Sequence, residues 1–306
     1  MDVHASPDEL PARQEFLGRF QVRFRRPEGA ETLERDITGL LTERPTKNGD
    51  TIAQAVPGTS EQRLQELLTN IHWDADDLNR QRVQNMIAEA TLGDGVRVVD
   101  DTGFPKQGHA SVGGSRQYSG TLGKVGNCQV AVTCCDTDPQ ASWPVAVRLY
   151  LPQAWVEDPA RRGQARVPEE VTCRTKLELA LGRLDQTRDW GVPHRGGVAD
   201  ADDGNNPHFL AGLESRQEPY MVGVRADFRV RQQRRAASPV QRADHVLRAL
   251  LRWRWRTVRL RHGTTGWLHQ KFVAVHGWRV TSDERQHVGW LLGERATGSQ
   301  PEERKY

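Results

Sequence analysis

The 306-residue chain is 36% hydrophobic and 27% charged, enough for one large domain or two smaller ones. It has no apolar run near the roughly 18 residues that span a bilayer, and MDVHASPDEL lacks the basic-then-apolar pattern of a secretory leader, so a soluble, cytoplasmic protein without membrane contact is expected. Net charge is only +3, but between Arg225 and His262 arginines dominate and Asp227 and Asp244 are the only acids, which favours a polyanionic partner over a plain solvated surface.

Residues 1–92 read as a helical N-terminal region. SEQRLQELLTNI spaces Leu64, Leu67 and Leu68 as on a helix, and DDLNRQRVQNMIAEA continues that character. TIAQAVPGTSEQRLQELL has the outline of a helix-turn-helix, although an ordinary helical pair explains it more simply. Near Gly93 the pattern changes. VRVVD, NCQVAVTCC (Asn127 to Cys135) and PVAVRLYLP (Pro144 to Pro152) read as three strands, with the glycine-rich connection GGSRQYSGTLGKVG between the first two. A helix is expected within EEVTCRTKLELALGRLDQTRDWG: Leu177, Ala180, Leu181 and Leu184 fall on one face and Gly191 suits its stop. RGGVAD is a fourth strand ending at Asp200, NPHFLAGLESR a short helix and PYMVGVRAD a fifth strand. The order β-β-β-α-β-α-β predicts an α/β fold, a mixed sheet with helices packed on it. It is the order of the ribonuclease-H-like fold, which ends with one more helix. Residues 93–227 would form this core.

Residues 228–306 read as a β-rich insertion and the end of the chain. SPVQRADHVLRALL offers Ser238 as an N-cap and Pro239 at the first helical position. WRTVRLRHG, QKFVAVHGWRV and HVGWLLGERA follow as three strands, dense in tryptophan from Trp253 to Trp290. Exposed Trp and Arg could stack on bases and hold phosphates; packing in a core is an equal alternative for each Trp. The four cysteines, Cys128, Cys134, Cys135 and Cys173, lack CxxC spacing and read as ordinary buried thiols rather than a zinc site or a disulfide frame.

The chemistry concentrates in GVRVVDDTGFPKQG, where an apolar strand ends on two aspartates. Unpaired buried charge is costly, so this pair is either a solvated turn cap or a cation site. Asp101 would end the first strand and Asp200 the fourth. In a ribonuclease-H-like sheet those strands are neighbours, so the two carboxylates would converge. Mg²⁺ favours such oxygen ligands, and two ions about 3.5–4 Å apart suit phosphodiester chemistry.

The stretch DDTGFPKQGHASVGGSRQYSGTLGKVGNCQVAV resembles the DDE transposases of bacterial insertion sequences, in the branch marked by DDTGFPK, then RQY, then GK-x-x-NCQ. The likeness continues through RLYLPQAW, VPEEVTCRTKLELAL, ADADDGNNPHFLAGLE and HGTTGWLHQKFVAVHGWRVTSDERQHVGWLLGERATG. It implies a ribonuclease-H-like core with a β-rich insertion before a last catalytic helix, and cleavage of DNA at transposon ends followed by strand transfer. By motif, Asp101 is the first catalytic, metal-holding aspartate, with Asp100 the less favoured choice, and Asp200 is the second. Lys106, Arg116 and Lys124 are candidates for DNA contact, or for structural roles in the glycine-rich connection. The arginine-rich segment adds Arg254, Arg256, Arg259 and Arg261 as DNA-binding candidates. The implied cofactor is Mg²⁺ or Mn²⁺, two ions in a complete member, and the implied partners are double-stranded transposon ends and target DNA, bound as a homodimer.

The chain departs from that pattern in its third carboxylate, a glutamate on a helix after an Arg-Trp pair. The chain ends at GSQPEERKY, Glu294 falls in the insertion's last strand, and Glu302 and Glu303 fall in a polar tail. The expectation is therefore a C-terminally truncated copy that lacks the final catalytic helix and is inactive and marginal in stability, with a DNA-binding remnant that represses an intact copy, or a split gene, as alternatives. The stretch ADDG directly after Asp200, which brings in Asp202 and Asp203, and His262 in place of a usual lysine are further departures.

Overall fold

The computed structural model describes residues 11–89, 95–108, 110–232, 238–263, 266–280 and 286–296. The chain divides into two units. One unit comprises residues 1–92 with 189–192, the other 93–188 with 193–306.

The first unit is helical: α1 (Pro11–Gly18), α2 (Pro27–Leu40), α3 (Gly49–Ala55), α4 (Glu61–Thr69) and α5 (Ala75–Glu89). Local chemistry sets the starts. Pro27 opens α2, where a missing N–H costs nothing. Asn48 and Thr51 form a reciprocal capping box on α3, and Ser60 accepts from the Arg63 N–H to cap α4. Phe20, Phe24, Leu67 and Leu78 form one apolar cluster and Ile52, Ala55, Val56 and Leu64 another. Leu64 and Leu67 are buried, but Leu68 is 71% exposed, so the buried stripe is narrower than the periodic set. No described helix is long and apolar enough to cross a membrane.

The second unit carries two sheets. The first uses β1 (Val96–Pro105), β2 (Ser115–Ser119), β3 (Lys124–Thr137) and β4 (Ser142–Leu149). Short helices α6 (Gln153–Val156) and α7 (Pro159–Gln164) follow, then α8 (Lys176–Asp189), β5 (Gly197–Ala199), α9 (Ala201–Gly204), α10 (Pro207–Ser215) and β6 (Tyr220–Val222). The strand order is β2-β3-β1-β5-β6, with β4 also on β3. β1 runs antiparallel to β3 along its whole length, while β5 is parallel to both β1 and β6. Pro144 sits in β4, which pairs only with β3 among the described residues, and an edge strand tolerates a missing donor. Val99, Val130, Val132, Val145, Leu184 and Phe209 are buried in this unit.

Three sequence expectations need correction here. SRQYS, read as connection, is β2: its polar alternation against Lys124–Cys128 suits a strand with an exposed face. The first strand does not end at the aspartates. Thr102–Pro105 continue opposite Cys128–Ala131, because β3 is long enough to offer them partners. The helix expected from Ser238–Pro239 begins only at α11 (Ala243–Arg248), since Gln241–Arg242 are taken as β8 by β7 (Arg229–Arg231).

β7 and β8 belong to the second sheet with β9 (Arg256–Gly263), β10 (Gly266–Val280) and β11 (Gln286–Ala296). One face packs Val273, Val275 and Leu291 against Val246 and Leu247 of α11 and against Trp255. Trp255 is thus a core residue, whereas Trp253, Trp267 and Trp290 are 71%, 48% and 67% exposed. Glu214 of α10 accepts from Arg279 Nη2 of β10 at 2.7 Å and from Tyr220 Oη at 2.9 Å, and pairs with His287 of β11 at 3.2 Å. This joins the second sheet to the first. Burial, then the bond to Glu214, pushes the Tyr220 phenol up to about 12.

The cysteines make no disulfide among the described residues. Cys128 and Cys134 are buried and Cys135 half-buried, but Cys173 is exposed, so the buried-thiol reading fails for it. Burial pushes the Cys134 thiol up to about 12.

Beneath the sheet, Arg97 of β1 donates to Asp136 of β3 at 3.3 Å and to Thr187 of α8 at 2.7 Å. Arg97 and Asp136 are 0% and 1% exposed. Removing one partner of such a pair strands the other in a medium that solvates it poorly. Asp136→Ala should therefore cost about 3–5 kcal/mol of stability in urea denaturation, because a guanidinium cannot discard its proton. A loss under about 1 kcal/mol, the range of an exposed pair, would show that the pair does not brace this sheet.

Candidate functional site

β1 and β5 meet through only two parallel residue pairs, Arg97 with Gly197 and Val98 with Val198. Both strands point the same way, so the residues that follow lie on the same side of this contact. Asp100 and Asp101 follow on β1 and Asp200 follows on β5. Strand alternation separates the first two. Asp101 shares parity with the buried Arg97 and Val99, and Arg97 faces α8; Lys176 of α8 reaches Asp101. Asp100 turns back along its own chain, and its Oδ1 accepts from the Asp101 N–H at 2.7 Å. The Asp100 carbonyl also accepts from Thr133 Oγ1 of β3 at 3.0 Å.

Asp200 caps α9: its Oδ1 accepts from the N–H groups of Asp202 and Asp203 at 2.9 and 3.1 Å. This is a turn-cap role at the start of a short helix. It engages one oxygen of a group that has two. α9 is pressed against the end of β6, where a Cβ on Gly204 would lie 2.0 Å from the Gly223 carbonyl oxygen. The glycine of ADDG is thus required by close backbone approach. Deeper in, the buried Glu218 pairs with Arg188 at 2.5 Å and His194 at 2.6 Å, fixing the turn that leads into β5.

The electrostatics report the crowding. Burial, then the fields of Asp200, Asp101, Asp100 and Asp202, push the Asp203 carboxyl up to about 6. Asp100 is raised by burial first, and then by Asp101 and Asp200. Two positive groups answer this charge. Lys176 donates to Asp101 Oδ2, and Arg225 pairs with Asp202 at 2.8 Å. Among the described residues, no group of three or more His, Cys, Asp or Glu side chains is arranged to hold a metal ion. The carboxylates at hand are hard oxygen donors, which suit Mg²⁺ held by one or two carboxylates with water and phosphate completing its shell.

The other sequence candidates lie elsewhere. Lys106 follows β1, its N–H bonded to the Asn127 carbonyl at 2.9 Å. Arg116 on β2 and Lys124 at the start of β3 are exposed on the same antiparallel extension. Arg254 is exposed just before β9, and Arg256, Arg259 and Arg261 are exposed on β9 itself, in the second sheet. Arg259 stacks over Trp267 at 4.2 Å. Glu294 lies on β11 opposite Phe272, and Glu302 and Glu303 lie outside the described residues. Sequence reasoning noticed Asp203 only as a departure and missed Lys176. The Thr175-x-x-Glu178 box before an apolar run marks that helix start, but nothing local tells that Lys176 meets a residue 75 positions away.

A sequence model of DDE superfamily endonucleases matches residues 19–266, a span holding both Asp101 and Asp200. Over 190 residues the chain is 25% identical to a protein of Microchaete diplosiphon described as a probable transposase for insertion sequence element IS701. That match takes 62% of this chain and 47% of the relative, so the chain spans about half the length of the curated relative it matches. The extent of the family match leads to one conclusion: the chain belongs to the DDE superfamily endonucleases.

Proposed function

We propose that the protein is an insertion-sequence transposase, which cuts and joins DNA strands at a divalent-metal site held by Asp101 and Asp200. The observation that carries this reading is the parallel β1–β5 contact, which is followed by Asp100–Asp101 within β1 and by Asp200 just past β5. The relative from Microchaete diplosiphon supports the reaction class. In this reading the first sheet, with α8 and α10, is a ribonuclease-H-like core. Divalent ions bound there would supply charge stabilisation for the attacking and leaving oxygens of a phosphodiester.

The chain's own residues hold and orient. Asp101 is kept on the α8 side by the continuous β1–β3 ladder, and Asp200 is held by its cap on α9. Lys106, Arg116 and Lys124 on the antiparallel extension, and Arg254, Arg256, Arg259 and Arg261 on the second sheet, supply positive charge to duplex phosphates. Exposed Trp267 and Trp290 offer flat surfaces for bases. Transposon ends and target DNA are the substrates, and two copies act together on them.

A second reading is a DNA-binding protein that occupies element ends without cutting them. It is favoured by the exposed arginines of the second sheet, Arg254, Arg256, Arg259 and Arg261. The deciding experiment is incubation with the duplex ends of its own element in Mg²⁺ or Mn²⁺. Transposase activity predicts cleavage that falls at least about 10²–10³-fold in Asp101→Asn and Asp200→Asn, with salt-sensitive DNA binding retained. Binding without metal-dependent cleavage would select the second reading.

Charge crowding generates a test that needs no DNA. Asp203 is raised to about 6 from an unfolded value near 3.9. Its folded form therefore prefers the proton, and the associated stability is complete below about pH 4 and lost as pH rises through about 6. Asp203→Asn keeps that site neutral. In chelator it should be more stable than the parent by about 1 kcal/mol at pH 8, after discounting for solvent screening, with the gap closing below about pH 4. Melting curves across pH check this, and an equal gap at pH 4 and pH 8 would contradict it.

A further inference from the structure

We propose that Lys176 is a built-in counter-cation that occupies Asp101 in the DNA-free protein and cedes it to a divalent ion when DNA phosphate arrives, so that metal loading depends on substrate. The inference rests on the reading of Asp101 as a metal-holding carboxylate.

Lys176 is the first residue of α8. That start is rigid: the Thr175 N–H donates to Glu178 Oε2 at 2.7 Å, Thr175 Oγ1 donates to the same oxygen at 3.0 Å, and the Glu178 N–H donates back to Thr175 Oγ1 at 3.2 Å. A cation is poorly placed for helix stability here, because the N-terminal end of a helix is itself positive. What the ammonium gains lies off the helix. It donates to Asp101 Oδ2 and sits 5.8 Å from the Tyr150 ring centroid. The helix box therefore aims a positive charge at the carboxylate the proposed chemistry needs.

Lys176 and Asp101 are 35% and 36% exposed, so the pair is open to exchange. A divalent ion must compete with the ammonium for Oδ2. Lysine is a compact charge on a flexible stem and a ready phosphate ligand. A DNA phosphate at the site gives it a new partner and completes the ion's shell, since Mg²⁺ is commonly held by one or two carboxylates plus substrate phosphate. By linkage, DNA and metal then strengthen each other by the same factor. An exposed ion pair with only a local role would leave the effect of DNA on metal affinity the same with Lys176 present or neutralised.

The test is Mn²⁺ binding by the full chain, read from the electron paramagnetic resonance of free Mn²⁺, with and without duplex DNA. Lys176→Gln and Lys176→Ala should bind Mn²⁺ about tenfold tighter than the parent without DNA, Lys176→Arg should match the parent, and Asp101→Asn should bind weakly. DNA should tighten Mn²⁺ binding in the parent and do so much less in Lys176→Gln. If Asp101→Asn weakens binding but neither neutral variant tightens it, the role of Lys176 is wrong and the metal reading stands. If no variant shows Mn²⁺ binding that depends on Asp101, both fall together.

Discussion

Two residue pairs of parallel strand hold the account together. Because Arg97–Val98 lie beside Gly197–Val198, residues far apart in sequence follow this contact on the same side of it, Asp101 within β1 and Asp200 just past the end of β5, and both are aspartates. Like charges brought together in a partly buried place resist one another. The chain relieves this by several local means: backbone N–H groups donate to Asp200 and Asp100, Lys176 donates to Asp101, and Arg225 pairs with Asp202. Asp203 shows the strain that remains, retaining its proton well above the ordinary carboxylate range. Such a site gains from any further cation, and this is the physical link between the fold and metal-dependent chemistry.

The contact is short, so the surrounding structure has to enforce it. Arg97 ties β1 to β3 and α8 from below through Asp136 and Thr187. Glu218 fixes the approach to β5 through Arg188 and His194. Gly204 lets α9 close onto Gly223 behind Asp200. Glu214 then extends the same framework to the second sheet through Arg279 and His287. Arg97, Asp136 and Glu218, buried charged groups of the first sheet, thus brace the strands that carry the aspartates.

Much of this was legible from residues alone. The alternation in NCQVAVTCC and the three tryptophan-bearing strands near the end of the chain correspond to β3 and to β9–β11, and the RGGVAD strand to β5. β2 was hidden because SRQYS is polar and flanked by glycine, so only its partner strand reveals it. The extension of β1 past Asp101 was hidden for the same reason: Gly103 and Pro105 look like punctuation until β3 supplies their partners. α11 starts later than Ser238–Pro239 suggest because pairing with β7 outweighs a local cap signal. Asp101 and Asp200 stood out through motif and strand position. Lys176 did not, because its role comes from a contact across 75 residues, and periodicity carries no information about such a meeting.

The central claim is that one divalent ion touches both aspartate segments at once. Iron-directed hydroxyl-radical cleavage tests it directly: Fe²⁺ replaces Mg²⁺, and the radicals it generates cut the nearby backbone. The account predicts paired cuts close to residues 100–101 and 200–203, competed away by Mg²⁺. Cuts near only one segment, or at sites remote from both, would contradict it.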